Sequence, residues 1–115
     1  MIGVDSLTVV YTNADFISLN DGNDIYSVMV THGKKIEYLG FSIPLCYDSE
    51  RVVDLGGGAV VPLISDRVLE EYRHSRCSML AMGEQADFAV FDKNPYKDAE
   101  AKITAIYVKG KIKSR

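Results

Sequence analysis

Short apolar stretches that alternate with polar residues, each ended by turn-forming residues, recur along most of this chain. In the stretch IYSVMVT, Val28 and Val30 fall on the same face of a strand, because successive strand residues point to opposite faces. Gly33 follows, and glycine readily adopts the positive φ of a tight turn, so a hairpin to a second strand at 35–40 is predicted. Further strands are predicted at 7–19 (bent, or split in two), 51–55, 59–61, 86–92, 102–108 and 111–113.

One stretch has the features of a helix instead. Ser65 or Asp66 can cap a helix over residues 65–80, and Gly83 would end it. The apolar stripe of this helix would consist of Val68, Leu69 and Tyr72. The stripe weakens beyond these residues, so the helix is short of apolar contacts in its second half.

The number of elements sets the expected fold class. Seven to nine short strands and one helix predict a mainly β protein, and 115 residues allow one domain. Hairpin-length connections cannot join parallel strands, so the pairs should be antiparallel. We therefore expect a small antiparallel β-sandwich or partly open barrel with one helix.

Composition narrows the function classes. With 47% hydrophobic and 25% charged residues, the chain is typical of an ordinary globular protein. The net charge of -3 argues against a nucleic-acid partner. The basic residues near the C-terminus are Lys109, Lys111, Lys113 and Arg115. They are typical of a solvated strand end rather than a phosphate-binding patch.

Apolar run lengths and cysteines bear on the compartment. No window approaches about 18 consecutive apolar residues, so no membrane span is expected. The early Asp5 argues against a signal peptide. We expect a cytoplasmic protein in which Cys46 and Cys77 are free thiols.

Two motifs that suggest ligand chemistry have simpler explanations. The glycines at 56–58 follow a strand, but the dinucleotide fingerprint needs a further glycine where this chain has Val61, so a strand-to-strand turn is expected. His32 and His74 lack the paired spacing of metal ligands, so no zinc site is predicted.

A catalytic pair is also conceivable. His74 and Cys77 would share one face of the predicted helix, but neither an orienting group nor an oxyanion site accompanies them. A buried thiol is the favoured interpretation. The carboxylates that invite an acid–base role are Glu70, Glu71, Asp87 and Asp92, which we interpret as helix-surface, edge or turn residues. No catalytic, cofactor-binding or metal-binding residue is assigned.

Four motifs, two from each half, carry a family resemblance. They are VMVTHGKKIEYLG at 28–40, RVVDLGGGAVVP at 51–62, MGEQADFAVFDKNPYK at 82–97 and ITAIYVKGKI at 103–112. In this order they resemble the two ends of metal-dependent amidohydrolases, of the branch that includes aminoacylase-like and imidazolonepropionase-like enzymes. The resemblance implies that the two ends fold together as a β-sandwich beside a TIM-type barrel, in an enzyme that uses zinc or another divalent metal to hydrolyse C–N bonds.

The catalytic barrel of that family has no counterpart here. Such a barrel takes about 200 residues or more, whereas only residues 63–82 separate the two matching segments. The family continues from the proline into Gly-x-Ile-Asp-x-His-x-His, whereas Pro62 is followed by LISDRVL without a histidine pair. No catalytic residue can therefore be carried over, and this chain alone is expected to be inactive. The barrel could have been removed by engineering or be naturally absent, and the sequence does not decide between these two origins.

The resemblance divides the chain into an N-terminal β segment (1–62), a junction with the helix (63–82) and a C-terminal β segment (83–115). The inward-facing residues of the shared sandwich are expected to include Val28, Val30, Ile36, Val53, Val60, Phe88, Val90, Ile106 and Val108. Without a barrel, the stripe of Val68, Leu69 and Tyr72 would fold back on the sandwich, pair with another copy or stay exposed.

The expected function is thus that of a non-catalytic amidohydrolase β domain without a cofactor of its own. A homo-oligomer through the orphaned stripe is the expected assembly, with no nucleic-acid or membrane partner. The alternative is a free-standing β domain that acts as a protein-binding or oligomerisation module. An open groove at the stripe would favour this alternative, and a stripe covered by the chain itself would favour a bare scaffold.

Overall fold

The computed structural model describes residues 7–47, 50–68, 70–72 and 78–114. The strands are β1 (Thr8–Ile17), β2 (Ile25–His32), β3 (Lys35–Gly40), β4 (Arg51–Pro62), β5 (Phe88–Phe91), β6 (Ile103–Val108) and β7 (Lys111–Ser114). Two short 3-10 helices, Leu45–Tyr47 and Glu70–Tyr72, complete the regular elements of the described chain. The predicted mainly β class is confirmed.

All seven strands belong to one sheet in the order β3-β2-β1-β4-β5-β6-β7. The two halves of the chain join in its middle, where β4 pairs antiparallel with β5. The expectation of antiparallel pairs throughout is wrong for one pair, because β1 and β4 are parallel. The β2–β3 hairpin and the loop after it lie between these strands and supply the long return that a parallel pair needs.

A bulge interrupts the β1–β4 pair halfway along. Thr12 pairs with Asp54 and Ala14 with Gly58, so residues 55–57 together face Asn13. Asn13 and two of the opposing glycines, Gly56 and Gly57, have positive φ. The predicted glycine turn between two strands is therefore wrong. Because β1 continues alongside, the extra residues loop out as a bulge within one long β4.

The Asp54 carboxylate holds this bulge. Its Oδ1 accepts hydrogen bonds from the Gly56 amide at 2.7 Å and from Asn13 Nδ2 at 2.9 Å. These two bonds, with the backbone bond first, lower the pKa of Asp54 below its ordinary value, since they stabilise the ionised form. A bulge generally increases the local bend and twist of a strand.

The sheet curves, so that side chains from strands that are not neighbours in it contact each other on one face. The Tyr11 ring on β1 makes edge-on contacts with Phe88 on β5 and Tyr107 on β6, at centroid distances of 5.6 and 5.7 Å. These strands are separated from β1 in the sheet by one or two others. Before β5, the amide of Ala86 donates to the carbonyl of Lys34, so this segment lies along the edge of β3.

Buried apolar residues form an inner cluster and two outer clusters. The inner cluster contains Val9, Tyr11, Phe16, Met29, Ile36, Leu39, Val60, Leu80, Ala86, Phe88 and Val90. On the opposite face of the sheet, the connection cluster is named for the segment between β4 and β5, which contributes Leu63 and Val68. Its other members are Ile17, Ala59, Val61, Ala89, Phe91 and Ile106. The hairpin cluster contains Val10, Val28 and Val30.

The predicted inward-facing residues divide among these clusters. Ile36, Val60, Phe88 and Val90 are in the inner cluster, with Val53 partly buried beside it. Val28 and Val30 are buried in the hairpin cluster, while Ile106 and partly buried Val108 belong to the connection cluster. A single inner face containing all nine is therefore wrong, because both faces of this sheet are covered.

The predicted helix is not observed over the residues that the structure describes. Residues 63–68 form turns in which the Ser65 hydroxyl accepts the amide of Arg67 at 3.1 Å. Glu70–Tyr72 is a 3-10 helix, and residues 78–80 are not helical. The serine thus stabilises a local turn instead of starting an α-helix. Leu69 and residues 73–77 lie outside the described part of the chain.

Candidate functional site

The predicted interface stripe lies against the protein's own sheet where it is described. Val68 is buried, with 3% of its surface exposed, within the connection cluster. Tyr72 is half-buried and packs on the same cluster. Leu69 is outside the described residues. The role of the three residues as an interface stays a prediction. To contact another copy, the Val68 side chain would first have to leave the connection cluster.

The other sequence candidates are dispersed. His32 lies at the end of β2, with Nδ1 2.7 Å from Thr8 Oγ1. Cys46 is exposed, and His74 and Cys77 lie outside the described residues, so their pairing stays untested. In the described ranges no three His, Cys, Asp or Glu side chains lie together as a potential metal site.

The four candidate carboxylates differ in burial. Glu70 and Glu71 are exposed, as expected for surface residues, and so is Asp92. Asp87 directly precedes β5, where an edge or turn residue was expected, but it is buried, with 1% of its surface exposed. Its carboxylate accepts the Lys109 amide at 2.7 Å and Gln85 Nε2 at 2.6 Å. Asp87 therefore fixes the turn between β6 and β7.

A cavity of about 360 Å³ lies where this β6–β7 turn (residues 109–110) meets the β2–β3 turn (residues 33–34). The two turns approach closely: a Cβ on Gly110, whose φ is +79°, would overlap the carbonyl oxygen of Gly33. The apolar part of the cavity wall consists of Leu7, Val9, Val53 and Ile112. Glycine at 110 thus permits the contact that bounds the cavity.

Three cations line the same cavity. Arg51 is the first residue of β4, whereas Lys109 and Lys111 flank Gly110. No described carboxylate lies within 4.0 Å of their charged groups, and none lines the cavity. We name this space the cationic cavity.

Three residues that carry hydroxyl groups also line the cationic cavity. They are Tyr11, Thr31 and Tyr107, of which Tyr11 and Thr31 are almost fully buried. Burial raises the pKa of Tyr11 above its usual range and the neighbouring Tyr107 adds to this, whereas a hydrogen bond with Thr31 and the charge of Arg51 oppose the rise. The Tyr11 hydroxyl is therefore a neutral hydrogen-bonding group at neutral pH.

Sequence reasoning missed this cavity because its residues come from β1, β2, β4, β6, β7 and the turns between them. The available signal was the pair of lysines around Gly110, which we interpreted as a solvated strand end. Nothing local in the sequence places Arg51 beside them. The position of β4 relative to the β6–β7 turn had to be known first.

Exposed apolar side chains form a different feature. Phe41 and Leu45 expose 70% and 84% of their surfaces, and Ile43 between them exposes 37%. They lie in the segment that follows β3 and covers the hairpin cluster with Tyr47.

Within the described residues, no helix is both long and apolar enough to cross a membrane.

Comparison with known proteins assigns no family. Neither a scan against protein-family models nor a search of curated proteins gives a match for this chain. The amidohydrolase hypothesis therefore depends on the four sequence motifs and on how the fold arranges them.

Proposed function

We propose that this chain is the non-catalytic β domain of a metal-dependent amidohydrolase whose parent enzyme acts on C–N bonds other than peptide bonds. One observation supports this most directly. Pro62, where the N-terminal matching segment ends, pairs with Phe88 in the neighbouring antiparallel strand. The chain thus leaves the sheet at the end of β4 and returns to it at the adjacent position on β5.

This arrangement suits a split domain. Backbones paired in an antiparallel sheet are about 5 Å apart, so an insert with neighbouring ends can be attached there without moving either strand. The entropic cost of a longer connection also grows slowly, by about 0.6 kcal/mol for each doubling of its length. A barrel between β4 and β5 would leave the sheet pairing intact.

The short connection in this chain covers the surface that an insert would otherwise meet. Leu63 and Val68 are buried on the outer face of β4 and β5, in the connection cluster. Because the connection supplies its own apolar cover, the domain can exist without a barrel. Burial of Val68 and partial burial of Tyr72, the two described residues of the stripe, favour a scaffold over a binder.

Domain insertion tests this proposal. We would replace residues 73–77 with a small folded domain whose termini lie side by side, keeping the residues of the connection cluster. The melting temperature of the β domain should fall by no more than about 5 °C, since only loop entropy changes. The matched control places the same domain between Lys109 and Gly110.

The control should unfold the β domain, because the Gly110 amide donates to the carbonyl of Ala86 and Gly110 lies against Gly33. Loss of the fold in the replacement at 73–77 would contradict the proposal. Equal tolerance at both positions would also count against it, since the connection would then have no special suitability.

The exposed side chains of Phe41 and Leu45 favour a second candidate, a protein-binding or oligomerisation module. Since Val68 is buried, a homo-oligomer would use this apolar segment more readily than the predicted stripe. Light scattering on the wild type and on Phe41→Ser/Leu45→Ser distinguishes the candidates. A dimer that the double substitution dissociates supports the module, and a monomer at high concentration supports the scaffold.

A further inference from the structure

We propose that the cationic cavity binds a small organic anion with an apolar, ring-sized body. This inference does not depend on the amidohydrolase proposal. It rests on the charge of the cavity, on its shape and on the rigidity of the turns that form it.

The charge of the cavity opposes that of the protein. The whole chain has 16 acidic and 13 basic side chains, yet three cations and none of the described carboxylates line this space. Arg51 reaches it from β4, and Lys109 and Lys111 reach it from the other end of the sheet. Arg51, Lys109 and Lys111 are exposed, so their joint charge attracts an anion to the mouth of the cavity by a Coulomb interaction that salt weakens.

The shape of the cavity selects the body of the ligand. Its volume of about 360 Å³ is at the lower end of the range for small-molecule sites, and its apolar wall includes Val9, Val53 and Ile112. Tyr107, which is half-buried, and the almost fully buried Tyr11 are the aromatic residues of the lining. A carboxylate, sulfonate or phosphate joined to one or two rings would match both parts.

The cationic side of the cavity is held in position before any ligand arrives. The buried carboxylate of Asp87 fixes the amide of Lys109, and Gly110 bonds through its amide to Ala86. Gly110 also packs against Gly33 of the facing turn. Because the backbone of the turn is already fixed, only the lysine side chains lose conformational entropy on binding.

Three probes of one shape test the proposal: 2-naphthoate as the anion, 2-naphthylmethanol as the neutral probe and 2-naphthylmethylamine as the cation. Calorimetry gives the affinities, and amide chemical shifts give the location. We expect 2-naphthoate to bind at least tenfold more tightly than the amine. The largest shifts should fall on Gly33, Val53 and Gly110.

Charge-removing substitutions provide the second part of the test. Arg51→Gln and Lys111→Gln should each lower the affinity for 2-naphthoate about two- to fivefold, as expected for exposed charge pairs. The double substitution should lower it about tenfold. Binding of 2-naphthylmethanol should change less than twofold. Lys102→Gln removes an exposed cation away from the cavity and serves as the matched control. Unchanged melting temperatures would show that the variants are folded.

Each other outcome overturns the proposal in a defined way. Equal affinities for the three probes would show that the cavity does not select charge. Shifts confined to residues outside the cavity would place the binding elsewhere, and equal weakening by Lys102→Gln would indicate attraction by the general field. No binding of 2-naphthoate at millimolar concentration would remove the site.

Discussion

The inner and outer faces of the sheet are covered in different ways. The inner cluster is continuous and is formed by strands from both ends of the chain, with the stacked rings of Phe88 and Tyr107, 4.7 Å apart, beside Tyr11. The outer face has two separate clusters, and each is covered by a short segment between strands. The difference suggests that the inner cluster determines the fold, while the segments that cover the outer clusters can be replaced by others.

The segments that cover the outer clusters also differ from each other. The segment after β3 is attached by Tyr47, which donates to Glu37 Oε2 at 2.7 Å, but it leaves Phe41 and Leu45 exposed. The connection after β4 buries Leu63 and Val68, although it leaves Ile64 and Met82 partly exposed. An exchangeable insert is therefore expected at the connection, and a contact surface is expected at the hairpin cluster.

The largest expected effect comes from the inner cluster. Phe88→Ala removes a fully buried ring that contacts Tyr11 and Tyr107, so the free energy of unfolding should fall by about 4 kcal/mol. Urea unfolding followed by fluorescence or circular dichroism measures it. A loss below about 1 kcal/mol would mean that the inner cluster does not dominate.

Glycine substitutions test the junction of the two chain halves. A Cβ on Gly58 would overlap the carbonyl oxygen of Phe91, so Gly58→Ala should disrupt the β4–β5 pair and cost about 3 kcal/mol. The matched control is Gly57→Ala, whose Cβ meets nothing within 4 Å and whose φ of +84° costs about 1 kcal/mol. Equal losses in urea unfolding would remove the steric argument.

Val68→Ala probes the exchangeable cover on the outer face. Two methyl groups leave the connection cluster, and the expected loss in unfolding free energy is about 1.5 kcal/mol. The variant should remain a folded protein with the same β content by circular dichroism. Its loss should be well under half that of Phe88→Ala. A loss as large as that of Phe88→Ala would make the connection part of the essential core.

The smallest expected effect concerns the bulge in the β1–β4 pair. The folded pKa of Asp54 lies below its ordinary value of 3.8, so its stabilising contribution is present above that pH and disappears as the pH falls through the folded pKa. Asp54→Asn should therefore lose less stability than the wild type between about pH 5 and pH 2. Thermal melts across this range give the comparison, and parallel curves for the two proteins would contradict it.

Some features of the fold were predictable because they are local. Alternation and Gly33 predicted the β2–β3 hairpin, and most other strands were predicted near their observed positions. The assignment of faces was not predictable, because a strand covered on both sides buries Met29 as fully as Val28 and Val30. Period-two alternation cannot decide which of two buried sets faces the inner cluster.

The bulge and the cationic cavity depend on distant parts of the chain. Glycines at 56–58 give a turn in isolation and become a bulge only because β1 pairs on both sides of them. The cavity in turn forms only where β4 and the β6–β7 turn meet, which brings Arg51 together with Lys109 and Lys111. The predicted helical setting of Val68 is wrong because the Ser65 hydroxyl supports a turn, and its role in an interface stays a prediction.

The most direct test of the proposal that this chain is a non-catalytic domain is to measure the metal content and the turnover of the purified chain. The chain would be dialysed against Zn²⁺, freed of excess metal, analysed for zinc and assayed on N-acyl amino acids and cyclic amides. We predict far less than one zinc per chain and hydrolysis no faster than in buffer. One tightly held equivalent of zinc, with amide hydrolysis that a chelator abolishes, would contradict the account.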